Sequence, residues 1–285
     1  MLNNLQFFQS LNLLLPFINI YSNKIFVIKY GGSAMKSKRL QAQILKEIYF
    51  LYSIGIKIVL VHGGGPFIND WLRKLNIQPQ FENGVRVTDA ETMKIVEMVL
   101  VGQVNKSLVS LMNSLSLNAI GLSGKDANLV IASSLFNSSS NFVGKVDSVN
   151  VDILHLLLKN NYLPIIASVS SDIHGQSYNI NADTFASFLA TSLEADKLIL
   201  LTDTSGVMLD INDPSTRISN LNYSKINQLK KDHIICGGMI PKVDACIHAI
   251  SNGVSSAHII NGSLDYTLLL ELFTNDRCGS MITLD

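Results

Sequence analysis

Residues 25–32 read IFVIKYGG, and this stretch indicates the fold. From Ile25 to Tyr30 every residue except Lys29 is apolar, without the alternation of a half-exposed strand. A short apolar run that ends in glycines is typical of a strand buried on both faces of a sheet and followed by a tight turn. We therefore predict a buried strand here, and similar runs follow at Ile56–His62, Ala119–Ser123, Leu163–Ser168, Leu198–Thr202 and Ala257–Ile260.

Helical patterns separate these strands. The predicted helices are Gln41–Tyr52, Phe67–Leu75, Glu91–Leu115, Thr184–Leu193 and Pro241–Asn252. Continuous apolar strands that alternate with helices favour a mostly parallel sheet covered on both faces, so the fold class is α/β. Because no repeat, proline-rich tract or charge run divides the chain, we place a domain boundary near residue 190, where the motifs change character.

The N-terminal segment has the spacing of an amphipathic helix. Leu5, Phe8, Leu11 and Leu15 predict one apolar stripe on a helix that ends ahead of Pro16. Such a stripe packs either on its own domain or on a neighbouring subunit, and the sequence leaves both open.

A polar insertion interrupts the regular alternation in the middle of the chain. Leu129–Asp147, with a polar tip at Asn137–Asn141, predicts a hairpin that covers a site.

Composition excludes several classes of protein. The chain has 285 residues, 47% hydrophobic and 15% charged, which does not suit a disordered, coiled-coil or fibrous protein. The 22 basic residues balance the 22 acidic ones, so bulk charge favours neither nucleic acid nor an anionic membrane as a partner. Cys236, Cys246 and Cys278 form no CxxC pair, and we predict neither a disulfide framework nor a metal site.

Membrane insertion and targeting are not predicted. Leu5–Ile20 is the only segment that resembles a membrane span, and Asn12, Pro16 and Asn19 interrupt it. No positive charge precedes it, as a signal peptide requires, and it lacks the arginines of a transit peptide.

Glycine clusters mark the ends of predicted strands or the starts of predicted helices. They are Gly31-Gly32, Gly63-Gly64-Gly65 and Gly237-Gly238. Glycine lets backbone N–H groups approach an anion, and a following helix N-terminus adds a favourable dipole, so such loops are typical phosphate sites. No GxGxxG follows a strand, and the sequence around Gly124-Lys125 lacks the pattern of a P-loop. We predict binding of a nucleotide or phosphate by another kind of loop.

Two lysines accompany these glycines. Lys29 directly precedes Gly31-Gly32, and Lys242 follows Gly237-Gly238 in the first turn of a helix. Each either forms a structural ion pair or stabilises a transferring phosphoryl group, since such catalysis consists largely of positioning and charge neutralisation. Asp183 either caps the helix that follows it, as Asn181 also can, or holds the two lysines.

Other polar residues have weaker signals. Arg86 suits bidentate binding of a carboxylate, or is a surface arginine. Thr202 and Asp203 end a strand, with Gly206 beyond, and form either a nucleotide pocket or a turn. His62 fits a hydrogen-bonded structural histidine better than a base.

In order along the chain, these motifs resemble the amino-acid kinase family, and within it the kinases that act on N-acetyl-L-glutamate. The resemblance covers nearly the whole sequence and is carried by Lys29–Met35, Val61–Pro66, Asn83–Asp89, Asn179–Asp183, Leu201–Val207 and Gly237–Lys242. It implies a three-layer αβα sandwich. It also implies transfer of the γ-phosphoryl of ATP to the side-chain carboxylate, with Mg²⁺ held through the ATP phosphates. The parts implied are 1–23 for oligomerisation, 24–190 for N-acetylglutamate and 191–285 for ATP.

The resemblance also implies roles for individual residues. Catalytic roles fall on Lys29, Lys242, Asp183 and Gly32. Substrate binding falls on Gly64, Gly65, Arg86 and Asn179. Binding of ATP falls on Lys29, Gly31, Gly32, Thr202, Asp203, Gly206 and Lys242.

Regulation is implied by the same resemblance. Members inhibited by arginine have a helix before the first strand and assemble as hexamers through it, and some bind a PII-type nitrogen-signalling protein. Ser263 and Tyr266 depart from the arginine-site pattern, where an Arg and a His are expected. A composition rich in Asn, Ser and Ile suits an AT-rich organelle genome, which favours the plastid stroma, with the cytoplasm as the alternative. The rival functions are a kinase for aspartate, glutamate, aminoadipate or carbamate, and a regulatory module without catalysis.

Overall fold

The structure is a computed structural model that describes residues 4–82, 85–136 and 140–284. Its strands are β1 (Ile25–Tyr30), β2 (Lys57–His62), β3 (Phe81–Glu82), β4 (Val85–Arg86), β5 (Ala119–Ser123), β6 (Val130–Ser134), β7 (Val143–Val149), β8 (Leu163–Ala167), β9 (Val169–Ser171), β10 (Ser177–Ile180), β11 (Lys197–Thr202), β12 (Asn220–Asn222), β13 (Ser256–Asn261) and β14 (Ser280–Thr283).

The helices cover both faces of the main sheet. They are α1 (Asn4–Tyr21), α2 (Lys38–Ser53), α3 (Gly65–Lys74), α4 (Ala90–Glu97), a π-helix (Met98–Val104), α5 (Asn105–Ser114), α6 (Asp152–Lys159), α7 (Ala182–Ser192), α8 (Tyr223–Lys231), α9 (Met239–Ser251) and α10 (Thr267–Phe273).

The main sheet has eight strands in the order β12-β14-β13-β11-β1-β2-β8-β5. The neighbours from β13 to β5 are all parallel, whereas β14 is antiparallel to β13. The predicted strands are confirmed as its parallel part, with ends that differ by at most a residue.

Side chains alternate between two cores along β1. Phe26 and Ile28 point into a core that contains α2, α5 and α10, while Val27 points into a core that contains α6, α7 and α9. Helices therefore cover each face of the sheet, and the predicted three-layer αβα sandwich is confirmed.

A second, smaller sheet stands beside the first. β6, β7, β9 and β10 form a closed barrel, in which β6 and β7 are antiparallel. The predicted hairpin at Leu129–Asp147 is thus confirmed, although residues 137–139 of its predicted tip lie outside the described residues.

The predicted end of the first helix ahead of Pro16 is wrong. Helix α1 continues through Pro16 to Tyr21. The backbone hydrogen bond lost at a proline is offset by packing beyond it, because the Phe17 and Tyr21 rings contact the Phe273 ring with centroids 6.0 and 5.8 Å apart. The side chains of Leu5, Phe8 and Leu11 lie outside the described residues.

The predicted helix Glu91–Leu115 is continuous but contains the π-helix in its middle. Among the described residues, the stretch Ala90–Ser114 is long and apolar enough to cross a membrane, so the prediction that Leu5–Ile20 alone resembles a membrane span is wrong. Val96, Val99 and Leu108 are fully buried in the core, which is the packing of an internal helix.

Candidate active site

Two glycine loops meet at the carboxyl ends of β1 and β2. The chain builds β2, β8 and β5 on one side of β1 and then returns to place β11 and β13 on the other side. Loops at such a reversal diverge and leave a crevice outside the carboxyl ends of the strands, where ligands of open α/β sheets bind.

Three charged side chains form a cluster in this crevice, which we call the crevice triad; Lys29 and Asp183 are buried and Lys242 is half-buried. Nζ of Lys29 lies 2.9 Å from Oδ1 of Asp183, and Nζ of Lys242 lies 2.7 Å from Oδ2 of the same carboxylate. Asn181 caps α7 by accepting hydrogen bonds from the N–H groups of Asp183 and Thr184. Asn181, and not Asp183, therefore caps the helix, and the Asp183 carboxylate pairs with the two lysines.

The crevice triad has two positive charges and one negative charge in a desolvated place. Burial alone raises the pKa of Asp183, but the two ammonium groups outweigh it and hold this pKa at about 2. Burial lowers the pKa of Lys29 and the charge of Lys242 lowers it further, whereas the charges of Asp183 and, more weakly, Asp203 oppose this. An incoming anion would complete the charge balance.

The glycine loops leave no room for side chains at two positions. Gly32 has φ of +78°, and a Cβ there would lie 2.4 Å from Oδ1 of Asp203. A Cβ on Gly64 would lie 2.5 Å from Cδ2 of Leu100. Gly64 also precedes α3 without a side-chain cap, so that helix offers backbone N–H groups to a ligand.

A cavity of about 300 Å³ joins the crevice triad to these loops. Every residue predicted to be catalytic or to bind substrate lines it: Lys29, Gly32, Gly64, Gly65, Arg86, Asn179, Asp183 and Lys242. Gly31, predicted to bind ATP, lines it as well. Lining residues for which no role is predicted include Ile68, Phe81, Leu100 and Ser168.

Arg86 brings an unpaired guanidinium to the cavity. Its Nη2 donates to the backbone oxygen of Gly65 and to Asn69, and its Cζ stands 4.7 Å from the centre of the Phe81 ring. Its Nη1 is buried without a hydrogen-bond partner, and no ion pair of the described side chains includes it. Burial lowers the pKa of Arg86 to about 10, which leaves it charged. The guanidinium has a free position for a carboxylate.

Asn179, which lines the cavity, is hydrogen-bonded to two other segments of the chain, at Thr88 and at Phe142. Its Nδ2 donates to Oγ1 of Thr88, which in turn donates to the backbone oxygen of Arg86. The backbone N–H of Asn179 donates to the oxygen of Phe142, at the start of the hairpin strand β7. Asn83 and Gly84, which precede Arg86 in its motif, lie outside the described residues.

A second cavity of about 470 Å³ lies beyond the N-terminus of α9. Gly206 and Met239 line it, whereas Lys242, one turn further along α9, lines the first cavity. Thr202 and Asp203 line neither cavity. Thr202 is buried and its carbonyl accepts from Gly262, while Asp203 lies against Gly32.

Another buried cluster lies at the amino ends of β11 and β13, and we call it the rear cluster. Nδ1 of His258 lies 2.7 Å from Oε1 of Glu271, whose Oε2 accepts from the backbone N–H of Gly279 at 2.8 Å. Nζ of Lys197 lies 2.9 Å from Oγ of Ser256 and 5.4 Å from the centre of the Tyr21 ring. Burial lowers the pKa of Lys197 to about 8, and Arg277 lowers it too, against Glu271 and Asp196.

Comparisons with known proteins agree with this geometry. Residues 24–261 match the amino acid kinase family, and the chain belongs to that family. Within it, proteins named acetylglutamate kinase are similar over the full length. The one from Gracilaria tenuistipitata var. liui is 57% identical, covering 100% of both chains, and the one from Thermosynechococcus vestitus is 51% identical, covering 94% of this chain and 91% of its own.

Solved structures share the fold. N-acetylglutamate synthase from Neisseria gonorrhoeae has a TM-score of 0.86 at 21% identity and covers 98% of this chain and 64% of its own. Carbamate kinase from Giardia lamblia bound to AMP-PNP has a TM-score of 0.67 at 21% identity, and covers 93% of this chain and 100% of its own.

Proposed function

We propose that the protein transfers the γ-phosphoryl group of MgATP to the side-chain carboxylate of N-acetyl-L-glutamate. The products are N-acetyl-L-glutamyl 5-phosphate and ADP, and the reaction is the second step of arginine biosynthesis through N-acetyl-L-ornithine. The observation that carries the proposal is the crevice triad, whose surplus positive charge faces the same cavity that Arg86 lines with a guanidinium in no ion pair of the described side chains. A dicarboxylic acyl amino acid fills both needs with its two carboxylates.

The residues divide the work as follows. Arg86 binds the α-carboxylate of N-acetylglutamate, helped by Asn179, and the N–H groups of Gly64 and Gly65 hold the acceptor end. Lys29 and Lys242 neutralise the charge that spreads over the transferring phosphoryl group, while Asp183 fixes their spacing. The N–H of Gly32 is a further donor to that group.

ATP reaches the cavity from the side of α9. We place the adenosine in the second cavity and the phosphates across the N-terminus of α9, because Met239 and Lys242 on this helix line the two cavities. Gly31, Gly32, Thr202, Asp203 and Gly206 belong to this nucleotide side. In the part of the chain that the structure describes, no group of three or more metal-binding side chains lies together, so we expect Mg²⁺ to arrive on the ATP phosphates.

The reaction needs no general base. A carboxylate nucleophile is already ionised near neutral pH, so the site has only to align it with the γ-phosphorus and neutralise charge. This accounts for a cavity that offers cations and N–H groups.

The test is turnover of ATP with N-acetyl-L-glutamate, with hydroxylamine present to trap the acyl phosphate as a hydroxamate. Aspartate, glutamate, aminoadipate and carbamate are run beside it. We expect hydroxamate with N-acetylglutamate. Product with another acid alone would assign a different kinase, and no product with any acid would favour the regulatory module.

For regulation, we extend the proposal to arginine as an inhibitor that binds at the rear cluster. Its guanidinium would pair with Glu271 and lie near the Tyr21 ring at the end of α1. Leu13, Leu15 and Ile20 are exposed on α1, which supports assembly of a homohexamer through this helix. Sedimentation with and without residues 1–23 tests the assembly.

The cellular setting completes the proposal. We assign binding of N-acetylglutamate to residues 24–190 and binding of ATP to residues 191–285. We place the protein in the plastid stroma, in keeping with red algal and cyanobacterial relatives. A PII-type nitrogen-signalling protein is the proposed regulatory partner, and co-purification from stroma tests it.

A further inference from the structure

His62 is a fully buried polar residue that the proposed chemistry does not use. It ends β2 directly before Gly63, and its side chain is 0% exposed. Nδ1 of its ring lies 2.9 Å from the backbone oxygen of Gly63, and Nε2 lies 3.1 Å from Nδ2 of Asn105. Both ring nitrogens therefore have partners, one of them within the glycine loop.

The partners settle which ring nitrogen carries the proton. A carbonyl oxygen only accepts, so Nδ1 donates to Gly63 and Nε2 is left as an acceptor facing Nδ2 of Asn105, whose two hydrogens are shared among Nε2 and two backbone carbonyls. The same amide nitrogen lies 2.8 Å from the oxygen of Ile165 and 3.2 Å from that of Leu122, which excludes the flipped amide, because Oδ1 would then face two carbonyls. Burial also lowers the pKa of His62 to about 4, so the ring is neutral.

The π-helix supports the same loop from the other side. The N–H of Asn105 donates to the oxygen of Leu100, a hydrogen bond five residues back that widens the turn. The widened turn brings Leu100 and Val104 against Gly64, at 2.5 and 3.4 Å from the place where its Cβ would be, while Asn105 reaches His62. One helical irregularity thus contacts the loop directly and through the histidine.

The consequence for the loop follows from peptide geometry. The carbonyl of Gly63 and the N–H of Gly64 belong to one planar trans peptide and point in opposite directions. A hydrogen bond that fixes the Gly63 oxygen toward His62 directs the Gly64 N–H away from it. A flipped peptide would instead present a carbonyl oxygen where a negatively charged group must bind.

We propose that His62, held by Asn105, is a positioning residue that orients the Gly63–Gly64 peptide so that the Gly64 N–H donates to the reacting groups. This inference rests on the proposed function and deepens it. The histidine does not touch substrate. It acts through the loop, and its effect belongs to the transition state more than to binding of ATP.

The test compares His62→Leu with His62→Asn. Leucine removes the donor to Gly63, and we expect kcat for N-acetylglutamate to fall about 10- to 100-fold, with KM for ATP changed less than about twofold. Asparagine places an amide N–H near the position of Nδ1, and we expect it to recover kcat to within about fivefold of the wild type. A merely structural role would reduce activity in step with the folded fraction, measured by thermal unfolding, and asparagine would not rescue kcat.

Asn105→Leu and Asn113→Leu keep the inference testable if His62→Leu does not fold. Both asparagines lie on α5 and hydrogen-bond to β5, but only Asn105 reaches His62. We expect kcat to fall about tenfold in Asn105→Leu and to stay within about twofold in Asn113→Leu. Equal losses in the two variants, or a change in KM alone, would overturn the positioning role. An inactive wild type would instead overturn the proposed function.

Discussion

The crevice triad and the rear cluster are two groups of charged side chains at opposite ends of the parallel strands. Each buries a carboxylate beside a lysine. In the crevice triad, Asp183 has only ammonium partners, and two positive charges exceed one negative charge. In the rear cluster, Glu271 contacts a histidine and a backbone N–H, and Lys197 donates to a serine.

The two clusters differ in whether their charges are balanced. Burial lowers the pKa of His258, although the hydrogen bond that Nδ1 donates to Glu271 opposes this, so the histidine adds no fixed charge. In the rear cluster, the positive charge of one lysine then balances the negative charge of one glutamate. The crevice triad instead needs an anion to balance its charge, and it faces a cavity. Surplus charge beside a cavity, more than burial itself, indicates a reaction site.

Asp183→Asn should have the largest effect, because it leaves the buried Lys29 and the half-buried Lys242 without a carboxylate. We expect kcat to fall at least about 10³-fold and the free energy of unfolding to fall about 3–5 kcal/mol at pH 7. The pKa of Asp183 is lowered in the folded state, so its contribution is present above about pH 4 and is lost as the pH falls toward 2. Urea unfolding of both proteins from pH 7 to pH 3 measures this, and a stability difference that does not shrink would contradict the ion-pair account.

Lys242→Ala removes one of the two positive charges and keeps the ion pair of Lys29 with Asp183. We expect kcat to fall about 10²- to 10³-fold while the dissociation constant of ATP rises less than about tenfold. Steady-state kinetics and calorimetric titration of AMP-PNP separate these quantities. Lys231→Ala, on the exposed end of α8, is the control. A change in KM for ATP alone would remove Lys242 from the transition-state role.

Arg86→Ala tests whether the unpaired Nη1 awaits the substrate carboxylate. We expect KM for N-acetylglutamate to rise about 100-fold, since a bidentate, charge-assisted pair is lost, while KM for ATP stays within about twofold. Arg86→Lys keeps the charge and should recover part of the loss. Arg73→Ala is a matched exposed control on α3. A rise in KM for ATP of the same size would place Arg86 on the nucleotide side instead.

Glu271→Gln tests whether the rear cluster is the site of arginine inhibition. We expect the arginine concentration for half inhibition to rise about tenfold, because the guanidinium loses its charged partner. Inhibition curves at fixed ATP and N-acetylglutamate measure the effect, with Glu194→Gln on the surface as the control. Unchanged inhibition would show that arginine, if it acts, binds elsewhere.

Lys197→Met should have the smallest effect and concerns stability alone. The folded-state pKa of Lys197 is about 8, below the unfolded value of about 10.4, so the unfolded chain binds more protons between these values. The stability of the wild type should therefore rise across this window relative to the variant, by on the order of 1 kcal/mol. Thermal unfolding from pH 7 to pH 10 tests this, and parallel curves for the two proteins would contradict it.

The sequence predicts the main sheet well because its strands are buried on both faces. Ile25–Tyr30 and Leu198–Thr202 are apolar except for Lys29 and Thr202, and they have no helical spacing. The barrel strands β9 and β10 were not predicted, since Val169–Ser171 and Ser177–Ile180 are short and mix serine with apolar residues. The predicted helix end ahead of Pro16 is wrong because the hydrogen bond lost at the proline is offset by aromatic contacts with α10, which lies near the other end of the chain.

For the site, the glycine loops and lysines were predictable because strands that run parallel bring their carboxyl ends together. The nucleotide role of Thr202 and Asp203 stays a prediction, and neither lines the two cavities. The contacts of His62 with Asn105 and of Gly64 with Leu100 have no sequence signal. They depend on the π-turn, whose extra residue no apolar spacing in Glu91–Leu115 reveals.

The central position of β1 has a consequence for how the protein is made. One edge of β1 pairs with β2 soon after both leave the ribosome, but the other edge pairs with Lys197–Leu200 of β11. At ordinary rates of translation that second partner arrives on the order of ten seconds later. Until then the nascent chain exposes an unpaired apolar strand edge that can pair with other chains. Binding by chaperones is therefore needed most during synthesis. The crevice triad is completed only when Lys242 emerges, and no shorter nascent chain has an assembled site.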